Sequence, residues 1–562
     1  MTIQNNTSTR NKSLLHIFQI LLYNFAVELL LAAVLFLVGF GISWWFLPVC
    51  FCTSVLLCCL IDKKPVTLTE ILICLFLLVL FAWISGRFYE FNYDGNAYHK
   101  VAVGLLKKHW NPLRELPSMS IAEGNIPGFE SNIWAEAYCK STWIFGAGIY
   151  AITGNIETGK CYTLIGMACA FFLVYHYMRK KDYCRWKTIF MASIAAFNPV
   201  AIQQMFSFYL DGFLHTMLII LVVSLLMLSD RKTFDVKVSA SMVATSMIVC
   251  GNTKFTGLLY GGIFCIAYYL NDCYQYKKTE KQWFGKICKE SLLYIGLLIV
   301  TVVWAGASPY MTNLIRHGSP TYPLTGEGKM DVTQWSSPFA EQNHFKNVIF
   351  SLFSRMDNFY YTSGKRPTLK IPFTFDQEEV DLTALVDTRI SGFGVWFGGL
   401  LIVAFVIMVI WLIKSPYNRQ KQLIGLNTLV CIGLTFGIQE SWCARYSPYI
   451  YMLLLIAFFV LLNSKKKAVM IFTAVFSLAI LFNNCLPLIH KGEVYRSSRA
   501  IDRSFQELKE AGPIEIHNGE FEGVYFNFRD KGIDYRVNNE LTEGEGTHVA
   551  MYIATLWKER NE

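Results

Sequence analysis

LTEILICLFLLVLFAWISGRFYEFNYDGNAYHK, residues 68–100, decides how the chain reads. Residues 68–84 form an apolar run close to the length a helix needs to cross the hydrocarbon core of a bilayer. Polar and aromatic residues follow, and Asp94 sits where a chain leaving a membrane first meets water. The composition agrees with that reading. Of 562 residues, 54% are hydrophobic and 16% charged, and the mean hydropathy is +0.36, too apolar for a soluble multidomain protein.

Further apolar windows recur along the chain. The clearest cover residues 18–40, 188–206, 213–228, 292–307, 392–412 and 468–488; shorter ones cover 43–61, 162–178, 238–250, 257–270, 423–436 and 449–462. With 68–84 they give about thirteen spans, the pattern of a polytopic α-helical membrane protein. Window 18–40 is longer than a signal-peptide core and runs into Trp44, Trp45 and Phe46, so no cleavable leader is expected.

Lys and Arg fall in alternate short loops: Arg10 and Lys12, Lys63 and Lys64, then 179–187, 231–237, 277–289, 414–421 and 465–467. By the positive-inside bias those loops are cytoplasmic, which puts the N-terminus in the cytoplasm and the opposite loops outside a cell inner (plasma) membrane. This bias accounts for most of the net charge of +9, and no nucleic-acid partner is called for. Cysteines lie mainly in the apolar windows, against a disulfide framework or a zinc site. The phosphate loop GxxxxGK[ST] is absent, against an ATP-driven pump.

Three outer segments are long enough to carry function. In the first, 86–160, Ala97, Val101, Ala102, Leu105 and Leu106 share one side of a helix over 97–110 while Lys100, Lys107 and Lys108 point elsewhere, as in an interfacial helix. A second helical stretch, 134–152, is expected on or in the outer leaflet. The second segment, 308–390, is rich in Pro and Gly and reads as an irregular loop with short helices. From residue 491 an amphipathic pattern over 497–511 precedes candidate strands at 513–517, 524–528 and 548–553. The expected organisation is a transmembrane catalytic domain, 1–490, and a small extracytoplasmic α/β domain, 491–562.

Charged groups at the membrane edge cost several kcal/mol unless paired or hydrated, so each is a functional candidate. Asp94, Asp211, Lys254 and Arg445 all fall at outer span edges and, on this topology, face one side. An acid beside cations suits transfer from a lipid phosphate: the carboxylate takes the acceptor proton and the cations hold the departing phosphate. Lys254 lies between two short apolar runs whose helix ends add backbone donors for an anion. Arg445, Arg316 and His317 complete the phosphate-binding candidates. Glu136 and Asp211 are the candidate second acids, and Tyr93, Tyr98, Trp134 and Tyr138 the candidates for contact with a sugar or isoprenoid. Each has a plainer reading: snorkelling for Lys254, an ion pair with Glu440 for Arg445, a helix N-cap for Asp211, interfacial solvation for Trp134 and Tyr138. Glu28, in mid-window, is expected to pair inside the bundle.

The motif YDGNAYH (residues 93–99), an Asp soon after an early span, a long first outer loop with an amphipathic helix, many spans and a soluble unit after the last resemble the GT-C superfamily of membrane glycosyltransferases. That superfamily includes the protein O-mannosyltransferase and aminoarabinose transferase families. In architecture the resemblance covers roughly residues 18–488. It implies inverting transfer from a polyprenyl-phosphate sugar to a glycan, lipid or protein acceptor, with Asp94 in the place of the family's first-loop catalytic acid. The chain departs from the frequent pair of neighbouring acids, because Gly95 follows Asp94. That departure weighs against a metal-dependent mechanism, and a divalent cation, Mg or Mn, is the one cofactor left open. Two other classes compete: a polysaccharide polymerase or O-antigen-ligase-like enzyme leaning on Arg316, Arg355 and Arg366, and a lipid-linked glycan transporter or flippase, which would place polar residues near mid-membrane.

Overall fold

The computed structural model describes residues 2–118, 133–330, 343–357, 367–519, 521–549 and 555–559, with side chains from residue 13 onward. The protein is a polytopic α-helical membrane protein with a small C-terminal sheet. Among the described residues, seven helical stretches are long and apolar enough to cross a membrane: Ser13–Val38, Leu68–Ser85, Ile156–Lys180, Asp211–Ser229, Trp283–Trp304, Phe397–Lys414 and Lys467–Ala511. Each of the other apolar windows also holds a helix, the shorter Phe46–Asp62 and Pro448–Leu462 among them.

Window 188–206 is the one that breaks. It holds two helices, Arg185–Ala196 and Pro199–Gln204. Pro199 has no N–H to continue the first helix and disfavours helical backbone before it, whereas the first position of a new helix suits it. Asn198 caps that new helix, its side chain accepting from Ala201 N at 2.9 Å.

Residues 97–110 also differ from expectation. A π-helical turn, Gly95–His99, leads into the helix Lys100–Lys107, which is buried through Leu106 instead of lying at an interface. Lys100 is fully buried with it, its Nζ donating to Glu157 Oε1 and to Asn527 Oδ1, each at 2.7 Å. Glu157 pairs with Lys160 as well. An amine can be buried this way only when paired, and the partners come from distant segments that periodicity does not reveal. The stretch 134–152 is likewise helical but largely buried, as Ile133–Ala137 and Ser141–Thr153. Glu28 is buried and accepts from the Asn24 side-chain amide.

Four of the basic loops meet: Lys181 pairs with Asp230, Arg231 and Arg419 share Asp272, and Lys187 donates to the Ser464 carbonyl. Asp211–Ser229, at 19 residues, is about 28 Å long. It runs from Asp211 to the loop where Asp230 pairs with Lys181 at 2.9 Å and Arg231 with Asp272 at 3.4 Å.

A 3-10 turn, Leu486–His490, joins Lys467–Cys485 to the amphipathic helix Lys491–Ala511. Beyond it, β1 (Ile514–His517), β2 (Tyr535–Val537), β3 (Thr547–His548) and β4 (Leu556–Glu559) form one sheet in the order β2-β1-β4-β3. β1 runs parallel to β2 and antiparallel to β4, and β3 is antiparallel to β4. The expected strand at 524–528 is instead part of the helix Gly523–Lys531, closed by Gly532 at φ 65°. Val524, Tyr525, Phe526 and Phe528 favour strands intrinsically, but burial against Lys100–Lys107 and Lys491–Ala511 overrides that preference. Residues 550–554, part of the last expected strand and its continuation, lie outside the described residues.

Candidate active site

Helix ends bring the charged candidates to one place. Asp94 opens the π-helical turn that follows Leu68–Ser85. Asp211 is already inside Asp211–Ser229, with Leu210 at the cap position, so it is not the helix N-cap. Lys254 is the single extended residue, at φ −157° and ψ 149°, between Val236–Thr253 and Phe255–Thr279. Arg445 lies in the 3-10 turn Ala444–Tyr446, just before Pro448–Leu462.

Arg445 joins them. Its Nη1 is 3.1 Å from Asp94 Oδ2 and 3.7 Å from Asp211 Oδ2, its Nε is 2.9 Å from Asp387 Oδ1, and its Nη2 donates to the Tyr446 hydroxyl at 2.9 Å. Lys254 Nζ donates to Asp211 Oδ1 at 2.6 Å and sits 3.9 Å from the centre of the Tyr446 ring. The Tyr209 ring lies 5.1 Å from the guanidinium carbon of Arg445. The acids that hold Arg445 are therefore remote in sequence. Burial opposes the charge on Arg445, yet Asp387, Tyr446, Asp94 and Asp211 outweigh it and hold the guanidinium well above its ordinary pKa. Burial likewise opposes ionisation of Asp387, but Arg445 and Arg389 prevail and hold its carboxyl below the ordinary value.

Sequence reasoning missed Asp387, Arg389 and Glu90. Arg389 grips Asp387 through Nε at 3.1 Å and Nη2 at 2.9 Å, a bidentate pairing that fixes direction as well as charge. A signal for these two was present, since they end the segment 308–390 beside window 392–412, the same kind of edge position that marks Asp94. Glu90 is fully buried. Its Oε2 accepts from Ser207 Oγ at 2.7 Å and Phe208 N at 2.5 Å, and its Oε1 from Asn92 N at 2.9 Å. Glu90 thus ties the Asp94 segment to the one leading into Asp211. It also accounts for Gly95: a Cβ there would lie 2.4 Å from Glu90 Cδ, so a second acid directly after Asp94 has no room.

Glu136, Arg316 and His317 form a group of their own and are not brought to Arg445. Glu136 Oε1 is 3.4 Å from Arg316 Nη1 and 3.2 Å from His317 Nε2, and His317 stacks on Tyr322 at 4.0 Å. Tyr98 lies 6.2 Å from both Trp134 and Tyr138, the two aromatic residues that flank Glu136 in sequence. Tyr93 stands apart, half exposed and edge-on to Phe521 at 5.5 Å. Of the loop arginines, Arg355 pairs at the surface with Asp376 and, at 3.1 Å, with Glu378, while Arg366 lies outside the described residues.

A small cleft of about 10 Å³, lined by residues that include Gln203, Met356, Leu382, Asp387, Thr388 and Arg389, lies beside this cluster. Among the described residues no group of three His, Cys, Asp or Glu side chains is arranged to hold a metal ion. Asp94, Asp211 and Asp387 each face a guanidinium or an ammonium, a donor set that does not fit Mg or Mn.

The chain matches no protein-family profile and no curated protein. Among solved structures it is similar to the crystal structure of ArnT from Cupriavidus metallidurans bound to undecaprenyl phosphate. Sequence identity is 12%, the TM-score is 0.43, and the match covers 84% of this chain and 86% of that one. A likeness so distant assigns no role to any residue.

Proposed function

We propose that this protein transfers a sugar from a polyprenyl-phosphate donor to a hydroxyl acceptor at the extracytoplasmic face of the inner membrane, with inversion at the sugar carbon. In that reading the Asp94 carboxylate takes the acceptor's proton as the new carbon–oxygen bond forms. The bond from the sugar carbon to the phosphate oxygen breaks, and its electron pair leaves with the polyprenyl phosphate. Arg445 and Lys254 hold that phosphate, where charge-assisted hydrogen bonds stabilise the departing negative charge. Asp211 anchors both cations, and Asp387 with Arg389 fixes the direction of Arg445. Tyr98, Trp134 and Tyr138 offer flat faces for the sugar or the isoprenoid. The catalytic unit is residues 1–490, and residues 491–562 form an extracytoplasmic unit packed on it.

The observation that carries this reading is the 3.1 Å approach of Arg445 to Asp94, with Asp211 beside the same guanidinium and Lys254 held on Asp211, all near the ends of separate helices. An acid and two cations gathered from positions 94 to 445 suit a proton acceptor facing a phosphate leaving group. The test is purified protein with a radiolabelled polyprenyl-phosphate sugar and a crude glycan, lipid or protein acceptor. Asp94→Asn is expected to lower labelled product by about 10²–10⁴-fold, the range for losing a general base. Undiminished transfer by that variant would sink the assignment.

A further inference from the structure

The charges around Arg445 balance among the described residues. Arg445, Lys254 and Arg389 face Asp94, Asp211 and Asp387, three cations against three carboxylates. A phosphate arriving here meets no cation that lacks a carboxylate, so it competes with one of them for its partner. The three acids are not equally displaceable. Asp211 is held by both Lys254 and Arg445, and Asp387 by both Arg389 and Arg445. Asp94 has Arg445 as its one ion-pair partner among the described residues, and its side chain is 23% exposed against 15% for Asp387 and 5% for Asp211.

We infer that the donor phosphate displaces Asp94 from Arg445, so that donor binding itself releases the carboxylate that will accept the proton. This rests on the phosphate role given above to Arg445 and Lys254. The donor's phosphodiester matches Asp94 in charge, and its two free oxygens offer the planar guanidinium fork two charge-assisted hydrogen bonds where Asp94 accepts one, through Oδ2. Arg445 Nη1 faces Asp94, the most exposed of the three acids, while its Nε remains 2.9 Å from Asp387 Oδ1 and its Nη2 bonds to the Tyr446 hydroxyl. Once freed, Asp94 has both carboxylate oxygens open to a hydroxyl that enters beside the phosphate. Without donor the same carboxylate is occupied, which suppresses proton abstraction from any hydroxyl that enters first. The order of binding follows: donor, then acceptor.

If Asp94 and phosphate compete for one guanidinium, removing the carboxylate strengthens phosphate binding even as it abolishes transfer. The full-length protein in detergent is titrated with farnesyl phosphate, as wild type and as Asp94→Asn and Asp94→Ala. Both variants are expected to bind about fivefold more tightly, the gain from releasing one partly exposed ion pair. A gain in affinity cannot arise from misfolding, and two side chains of different size guard against a local effect of either. Affinity unchanged or weakened in both variants overturns the inference. Arg445→Gln and Lys254→Gln test the layer beneath. If both bind farnesyl phosphate as the wild type does, the phosphate role itself fails; if both lose binding while the Asp94 variants match wild type, only the displacement falls.

Discussion

A methyl group at position 95 would have nowhere to go. Glu90 fills that space, and its carboxylate is fixed by Ser207, Phe208 and Asn92, so it cannot swing aside without leaving buried donors unpaired. Gly95→Ala is therefore expected to shift the Asp94 turn, cut transfer at least about tenfold and cost about 1–3 kcal/mol, as overpacking of a filled site does. Activity and thermal melting of the variant in detergent check both halves, and a wild-type profile would mean that Glu90 gives way. At this scale the sequence singled out four residues that the structure brings together and was silent about how they pair. Asp94, Asp211, Lys254 and Arg445 were readable because a charge at the edge of a span needs a reason. Asp387 and Arg389 obeyed the same rule, beside window 392–412, but they close a long irregular segment whose many charges obscure any one of them. Glu90 was hidden, because an acid four residues before Asp94 looks solvated until its distant donors are known.

Helices were the most legible elements, since the apolar windows are long and the bilayer fixes their minimum length. The break at Asn198 and Pro199 was legible in principle, and hydropathy alone passed over it. Two elements could not be read locally. Lys100–Lys107 looked interfacial because its lysines suggested a wet face, yet Lys100 points inward to Glu157 and Asn527. The helix Gly523–Lys531 looked like a strand because its residues favour one, and it is helical because its aromatic side chains are buried against neighbouring helices. These two helices explain each other. Phe526 fills the space beside Gly104, where a Cβ would come within 2.3 Å of the ring, and Asn527 also donates to Glu157 at 2.9 Å. Asn527→Leu takes an acceptor from Lys100 and a donor from Glu157 at once. Its expected cost is about 1–3 kcal/mol per group left short, read as a lowered melting temperature. An unchanged melting temperature would show that this junction does not hold the C-terminal helix in place.

Across the whole molecule, the charge asymmetry of the loops and the gathering of the candidate residues describe one polarity. Asp211–Ser229 has the Arg445 cluster at its start and the Asp230 and Arg231 loop at its end. Reporter fusions inserted at Lys232 and joined to the C-terminus are expected to report opposite sides of the membrane, the second on the extracytoplasmic side. Both reporters active on one side would overturn the orientation drawn from Lys and Arg. The site as an assembly was beyond sequence reading, because its members come from separate helix ends and only packing decides which ends meet. That scattering has a consequence for biosynthesis. Arg445 follows Asp94 by 351 residues, roughly 20–70 s of translation at ordinary rates. Throughout that interval the nascent protein carries acids at 94, 211 and then 387 while the guanidinium common to all three is still unmade. The three acids therefore wait for their common partner, and a ribosome that stalls before residue 445 releases a product in which they cannot be drawn together.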